Sequence, residues 1–364
     1  MNSIKVINIF TSLDFGGVES HACIINRSEK YSCEYTFVAI SHGGKAGDEI
    51  RSHDGEVIIL NKNTHIPSFT TIYTLYGLLK KLNPDVVHTR GAEANFHGLI
   101  AAWLARVPVR IGEEIGIPSH GFKAKLFFKF AYLFAIKVIG ISKAVTKWLI
   151  ESGEVPAHKA VKIYNPVLIP KPRCEEDIPK SRLRIGFVGR LEPVKNPLAL
   201  VEALAIVVRK GIDAELWFVG DGSQKQALLD LASTHGISER VILHGFQGKP
   251  DDFVRQCHLY VQPSISEGFG LALVEAMGCA VPVIATAVGG APEIINNGKT
   301  GWLIERTDPE TLAYKIVEVV ALPAQELIDI GKRGRESVKT RFEPSSYMSE
   351  LENLYMNELE RANN

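Results

Sequence analysis

The chain has 364 residues, enough for two domains at about 150 residues each. Its 46% hydrophobic and 23% charged content is that of a globular protein, and excludes a disordered, collagen-like or disulfide-stapled chain. Forty-one Lys and Arg balance forty-one Asp and Glu, so the global basic excess of a nucleic-acid binder is missing and no nucleic-acid partner is expected.

The predicted elements alternate in chain order. The first strand, 6–10, is too short for a signal-peptide core and runs into a glycine turn. Further β-branched runs fall at 36–40, 57–60, 85–88, 109–111 and 137–141, with helical periodicity over 70–82, 95–105 and 122–135. Three prolines between 166 and 172, then the charged stretch 175–180, read as a linker. Alternation resumes with strands at 183–188, 215–219, 241–243, 258–261 and 281–285 and helices at 197–210 and 223–232. Tyr347, Leu351, Leu354 and Tyr355 repeat at helix spacing in a last helix over 345–361. Apolar strands alternating with helices predict two doubly wound parallel α/β domains, 1–167 and 168–343, with ligands at the strand carboxyl ends and in the cleft between the domains. The cysteines at 23, 33, 174, 257 and 279 form no CxxC pair and read as reduced thiols of a cytosolic protein. No apolar run approaches the roughly 20 residues of a spanning helix, so the chain is expected to be cytoplasmic or peripheral on the inner membrane face.

Two segments could carry chemistry. Ser266-Glu267-Gly268-Phe269-Gly270-Leu271 follows a strand and opens a helix that carries Glu275 one turn in. Glycines there let backbone amides approach a phosphate, and two carboxylates can bond two hydroxyl-bearing parts of one ligand. The same spacing fits a plain helix N-terminus with an acidic residue for its dipole. Gly189-Arg190-Leu191-Glu192-Pro193-Val194-Lys195 ends another strand with two cations suited to a diphosphate, or else forms an exposed loop whose charges pair with Glu192.

Together these segments resemble the retaining, nucleotide-sugar-dependent glycosyltransferases of GT-B architecture, family four. The Glu-x7-Glu signature is Glu267 to Glu275, and GRLEPVKN, VGDGSQ, HGF and NGKTGWLI follow in the family's order. The resemblance implies two Rossmann-like domains facing across a cleft, with the 344–364 helix packing back on the first. It implies that Arg190 and Lys195 neutralise the donor diphosphate, Glu267 contacts the sugar and Glu275 holds the ribose. Gly189, Gly220 and Asp221 would lie near the nucleotide, Gly245 and Phe246 at the base, and Gly268, Phe269, Gly270 and Leu271 at sugar and phosphate. In Phe15-Gly16-Gly17, the two glycines would approach donor phosphate or acceptor; the alternative is a tight turn with no ligand. His88 and Arg90 match a strand-end motif and are acceptor candidates, although a lone His there also fits a satisfied core residue. Ile115 stands where many relatives carry His, which makes Glu113 and Glu114 further acceptor candidates.

No metal site is indicated, and the resemblance implies basic side chains and a helix dipole in its place, with no cofactor. The implied reaction moves a hexose or N-acetylhexosamine, from a UDP-linked donor, to a hydroxyl of a glycan or lipid-linked acceptor in cell-surface polysaccharide synthesis. The alternatives are a nucleotide-sugar epimerase of the same architecture and a non-catalytic nucleotide-sugar-binding protein. The run 115–150 has six lysines, no Asp or Glu, and interleaved aromatic rings. Its helix, over 122–147, reads either as an anionic-membrane surface or as a domain helix with its rings in the core.

Overall fold

The structure, a computed structural model, describes residues 3–14, 16–28, 33–118, 121–174 and 182–364. The charged half of the expected linker, 175–180, Phe15 and the side chain of Phe122 lie outside those residues. The chain forms two units, Met1–Pro166 with Phe342–Asn364, and Val167–Arg341.

In the first unit, β1 (Ile4–Phe10), β2 (Cys33–Ala39), β3 (Glu56–Ile59), β4 (Val86–Arg90), β5 (Val109–Glu114), β6 (Lys137–Gly140) and β7 (Ala160–Lys162) form a sheet in the order β3-β2-β1-β4-β5-β6-β7. Every pairing is parallel. The connecting helices are α1 (Gly17–Arg27), α2 (Lys45–Ser52), α3 (Phe69–Leu82), α4 (Ala92–Leu104), α5 (Phe122–Leu133) and α6 (Lys143–Glu151). Side chains alternate across a strand, so Val6 and Phe10 join one core and Ile7 and Ile9 the other. Both faces of the sheet are therefore buried, which is why its strands read as continuous apolar runs. Helix starts use local acceptors: Ser142 Oγ accepts from Val145 N at 3.1 Å to open α6.

The second unit contains β8 (Leu183–Val188), β9 (Ala214–Val219), β10 (Val241–Leu243), β11 (Leu259–Gln262), β12 (Val283–Thr286) and β13 (Trp302–Ile304), in the order β10-β9-β8-β11-β12-β13 and again all parallel. Its helices are α7 (Pro197–Arg209), α8 (Lys225–Thr234), α9 (Asp251–Val254), α10 (Leu271–Gly278), α11 (Ala291–Ile294), α12 (Pro309–Val320) and α13 (Ala324–Lys339). In both sheets the strand order reverses beside the first strand of the unit, the switch point at which such sheets offer a ligand crevice.

The last helix, α14 (Pro344–Asn363), belongs to the first unit. It lies against α1 and β5, burying Tyr347, Met348, Leu351 and Tyr355 in the same core as Val6 and Phe10. No helix among the described residues is long and apolar enough to cross a membrane.

Candidate functional site

The second unit assembles its polar groups at the carboxyl ends of β8, β9 and β11. The loop after β8 is stitched in place along its length. Leu191 N donates to Asp221 O at 2.9 Å, Asn196 Nδ2 to Thr307 O at 2.9 Å, and Ile265 N to Val194 O at 2.8 Å. Glu192 spends its hydrogen bonds on Ser223 and meets Arg190 through charge alone. Its two oxygens accept from Ser223 N and Ser223 Oγ, at 2.9 and 2.6 Å, which lowers its pKa. Arg190 is exposed, makes no hydrogen bond among the described residues, and interacts with Glu192 through charge alone.

Lys195 sits on a single 3-10 turn, Pro193–Lys195, and places its Nζ 2.6 Å from Glu267 Oε2. The same oxygen accepts from Gln262 Nε2 at 2.8 Å and Ser264 Oγ at 3.3 Å. Three donors on one oxygen leave Oε1 without a hydrogen bond among the described residues. Gly289 permits this arrangement: a Cβ there would fall 1.5 Å from Glu267 O, so only glycine lets the loop after β12 close on the Glu267 backbone. Its neighbour Gly290 donates its N–H to Glu267 O at 3.3 Å.

Helix α10 begins after Gly270 without a capping side chain; Leu273 N donates to Gly270 O at 3.0 Å, and a helix start of this kind favours an anion at its remaining amides. Phe269 is buried beneath this start, and Leu271 is its first helical residue. Glu275 follows one turn later, half-buried and without a hydrogen-bonding or ionic partner among the described residues. Burial, with Asp251 adding to it, pushes its pKa up to about 7. A carboxylate in that state gains from any hydroxyl donor that reaches it. Gly220 N donates to Gly245 O at 2.8 Å, which joins the loops after β9 and β10. Asp221 holds its own loop through Gly222 N at 2.9 Å. Phe246 is exposed, and Gly189 and Gly268 flank the two loops.

The structure thus brings Arg190, Lys195, Glu267, Glu275 and the α10 start into one unit. The sequence reading missed Gln262, Ser264, Glu192–Ser223 and Gly289–Gly290. The available signals were a lone amide closing an apolar strand and a glycine pair following the next one.

In the first unit the glycine turn leads directly into a helix. Gly16 caps α1, with Ser20 Oγ donating to its carbonyl at 2.8 Å, and Gly17 begins the helix. The acceptor candidates His88, Arg90, Glu113 and Glu114 are all buried, because β4 and β5 extend to Arg90 and Glu114 and carry them inside. Arg90 Nη1 donates to Glu113 Oε2 at 2.5 Å, Nη2 to Tyr347 Oη at 3.0 Å, and Nε to Asn8 Oδ1 at 3.4 Å. His88 Nδ1 lies 2.6 Å from Tyr355 Oη and 3.4 Å from Arg90 Nη2. Arg90 can only donate and the tyrosine hydroxyl can do so, so Nδ1 accepts and the imidazole is neutral. Its pKa falls to about 4, through burial first and Arg90 second. Burial alone would raise Glu113, and the Arg90 guanidinium overrides it to hold the carboxyl at about 2. Glu114 goes the other way, up to about 7 through burial, although Tyr132 Oη donates to it at 3.0 Å. His88, Arg90 and Glu113 tie α14 to the sheet, whereas Glu114 bonds Tyr132 of α5; all four side chains are buried.

Comparison with known proteins agrees with both halves. The family model "Glycosyl transferases group 1" matches residues 170–337, and "Glycosyltransferase Family 4" matches residues 15–168. The chain is 26% identical over 333 residues to the capsular polysaccharide biosynthesis glycosyltransferase CapM of Staphylococcus aureus, spanning 85% of this chain and 87% of that one. It is 27% identical over 311 residues to the UDP-Gal:alpha-D-GlcNAc-diphosphoundecaprenol alpha-1,3-galactosyltransferase of Escherichia coli, with 80% of each chain covered. Anabaena Alr3699/HepE, solved in complex with UDP-glucose, shares the fold at a TM-score of 0.84 and 22% identity over 97% of this chain and all of that one. The chain belongs to the group 1 glycosyltransferases of the family 4 type: it is a hexosyltransferase enzyme of the GT-B fold.

Proposed function

We propose that this enzyme transfers a hexose or N-acetylhexosamine, with retention of configuration, from a uridine diphosphate sugar to a hydroxyl of a glycan or lipid-linked acceptor in cell-surface polysaccharide synthesis. The observation that carries the reading is the Lys195–Glu267 pair at 2.6 Å, set beside a partnerless Glu275 and an uncapped α10. CapM and the E. coli galactosyltransferase, by name, serve capsular polysaccharide and a diphosphoundecaprenol-linked sugar, which supports this acceptor class.

In the proposed reaction the acceptor hydroxyl oxygen bonds to the anomeric carbon as the bond to the diphosphate breaks. The diphosphate leaves with the electron pair, and its oxygen takes the hydroxyl proton. Arg190, Lys195 and the α10 amides stabilise the charge that develops on the leaving group, in place of a metal ion. Glu275 accepts from the ribose hydroxyls and Glu267 Oε1 from the sugar.

The acceptor's membrane is assigned to the first unit. On α5, Leu126, Phe127, Phe130 and Leu133 are exposed beside the exposed Lys123 and Lys129, while Phe128 and Tyr132 are buried. Apolar rings among cations suit an anionic lipid surface.

A screen of nucleotide sugars, read by nucleoside diphosphate release with and without acceptor, tests the reading. Arg190→Ala and Lys195→Ala should each lower turnover by about two to three orders of magnitude while the loop stays folded. NMR of the product should show the donor's anomeric configuration. Wild-type turnover in both variants would remove the diphosphate assignment, and an inverted product would remove retention.

A further inference from the structure

We infer that Gln262 is a positioning residue for transfer: it orients Glu267 while Lys195 is engaged by the donor. The inference rests on the donor-site reading above.

Gln262 closes β11, whose four residues are all buried. A buried amide is tolerated there only if its groups are bonded. Its Oε1 lies 3.1 Å from Tyr260 Oη, and its Nε2 lies 2.8 Å from Glu267 Oε2. The opposite orientation would set the amide oxygen against the carboxylate oxygen at that distance, so Glu267 itself fixes which way the amide points. Tyr260, which is fully buried and also 3.3 Å from Val188 O, fixes the far side. The amide also sits beside the start of α10: a Cβ on Gly270 would lie 3.7 Å from Gln262 Nε2.

Of the three donors on Glu267 Oε2, Lys195 is the one the proposed reaction assigns to the diphosphate. When Lys195 turns to phosphate, Gln262 and Ser264 remain. Ser264 is the longer contact, at 3.3 Å against 2.8 Å, so the amide is the stronger restraint on the carboxylate through that change. It keeps Oε1 aimed outward at the sugar without touching the donor itself.

The test uses the full-length enzyme, UDP as the binding probe, and the nucleotide sugar that the wild type turns over fastest. Gln262→Leu should leave UDP affinity within about twofold and lower kcat about tenfold or more, the scale of losing a hydrogen bond to a charged group. Tyr260→Phe should lower kcat in the same direction by less. Gln262→Glu supplies the readout that a purely structural role would not move. Ionised, the new carboxyl repels Glu267; protonated, it donates where the amide did. Its turnover relative to wild type should therefore recover as the pH is lowered from about 8 to about 6.

Unchanged kcat in Gln262→Leu, or a wild-type pH profile in Gln262→Glu, overturns the inference. A UDP affinity that falls as far as kcat also overturns it, by making Gln262 a prop of the nucleotide pocket. If Gln262→Leu does not fold, unchanged kcat in Tyr260→Phe or the unaltered pH profile of Gln262→Glu is decisive. A wild type that binds no nucleoside diphosphate overturns the donor-site reading and this inference together. That failure differs from an active wild type with indifferent variants.

Discussion

Glu113 is fully buried and Glu275 half-buried, yet their surroundings send the two carboxylates in opposite directions. Glu113 has the Arg90 guanidinium against it and stays ionised down to about pH 2. Glu275 has no cation, and burial raises it to about 7. Between its ordinary value of 4.5 and 7, folded Glu275 holds a proton that the unfolded chain has released, so its contribution to stability falls as the pH rises through that window. Glu275→Gln removes the penalty. It should raise the thermal midpoint at about pH 8 by roughly 2–4 °C, the shift expected from about 1 kcal/mol in a unit of this size, and the gain should vanish near pH 5. The same change should weaken UDP, because the ribose loses a charged acceptor. Calorimetry at both pH values and a UDP titration check the pair. A variant that is no more stable and binds as well would return Glu275 to the role of a solvated helix residue.

Along the elements, the apolar strands and the alternation were legible, and the ends of two strands were not. The runs at 85–88 and 109–111 stop where polar residues begin, whereas β4 and β5 continue to Arg90 and Glu114. Arg90 and Glu113 satisfy one another inside the sheet, at adjacent register positions, so the interior accepts residues that a hydrophobic pattern rejects. That register is invisible in a single sequence, and so is the Glu192 carboxylate that bonds Ser223 rather than Arg190. The donor loops were legible because glycines, cations and carboxylates at strand ends are local signals. Helix α5 lay between: its spacing showed aromatic rings and lysines without saying which ring faced inward. The structure buries Phe128 and leaves Phe127 exposed at 41%, its ring edge-on to Phe96 with centroids 6.0 Å apart. Phe128→Asp should therefore unfold the first unit, as an unpaired charge placed in the interior does. Phe127→Asp should fold and release the protein from anionic vesicles. Lys123→Ser with Lys129→Ser should weaken flotation by about 1 kcal/mol per lysine, and the effect should fade as salt shortens the Debye length. Equal flotation of all variants, or none by the wild type at any salt, would refute the lipid face.

At the scale of the whole molecule, the chain completes its first unit with its last 23 residues, Phe342–Asn364. Helix α14 supplies two kinds of contact at once. Met348 and Leu351 are fully buried in the β1–β4–β5 core, each stabilising by about 1.5–3 kcal/mol. Tyr347 Oη accepts from Arg90, Tyr355 Oη donates to His88, and Glu352 Oε1 accepts from Tyr35 Oη at 3.0 Å. The polar contacts make the attachment sensitive to acid. His88 and His21 are held at about 4, both through burial first. Below their ordinary value of 6.5 the unfolded chain takes up protons that the folded unit refuses, so stability declines as the pH falls from about 6.5 to about 4. Tyr355→Phe should cost about 1–3 kcal/mol by leaving His88 Nδ1 without its hydroxyl partner. Truncation after residue 343 removes both contact types and should leave the Arg90–Glu113 pair open to water. Hydrogen exchange by mass spectrometry reads this directly. In the truncated chain, peptides covering β1, β4 and β5 should lose protection while those covering β8, β9 and β11 keep it, since the second unit has its own core. In the intact chain the same three strands should lose protection first as the pH is lowered from about 7 to about 4. Retained protection in β4 and β5 after truncation would mean that the sheet holds its buried ion pair without the helix, and the assignment of His88, Arg90 and Glu113 to anchoring α14 would fall.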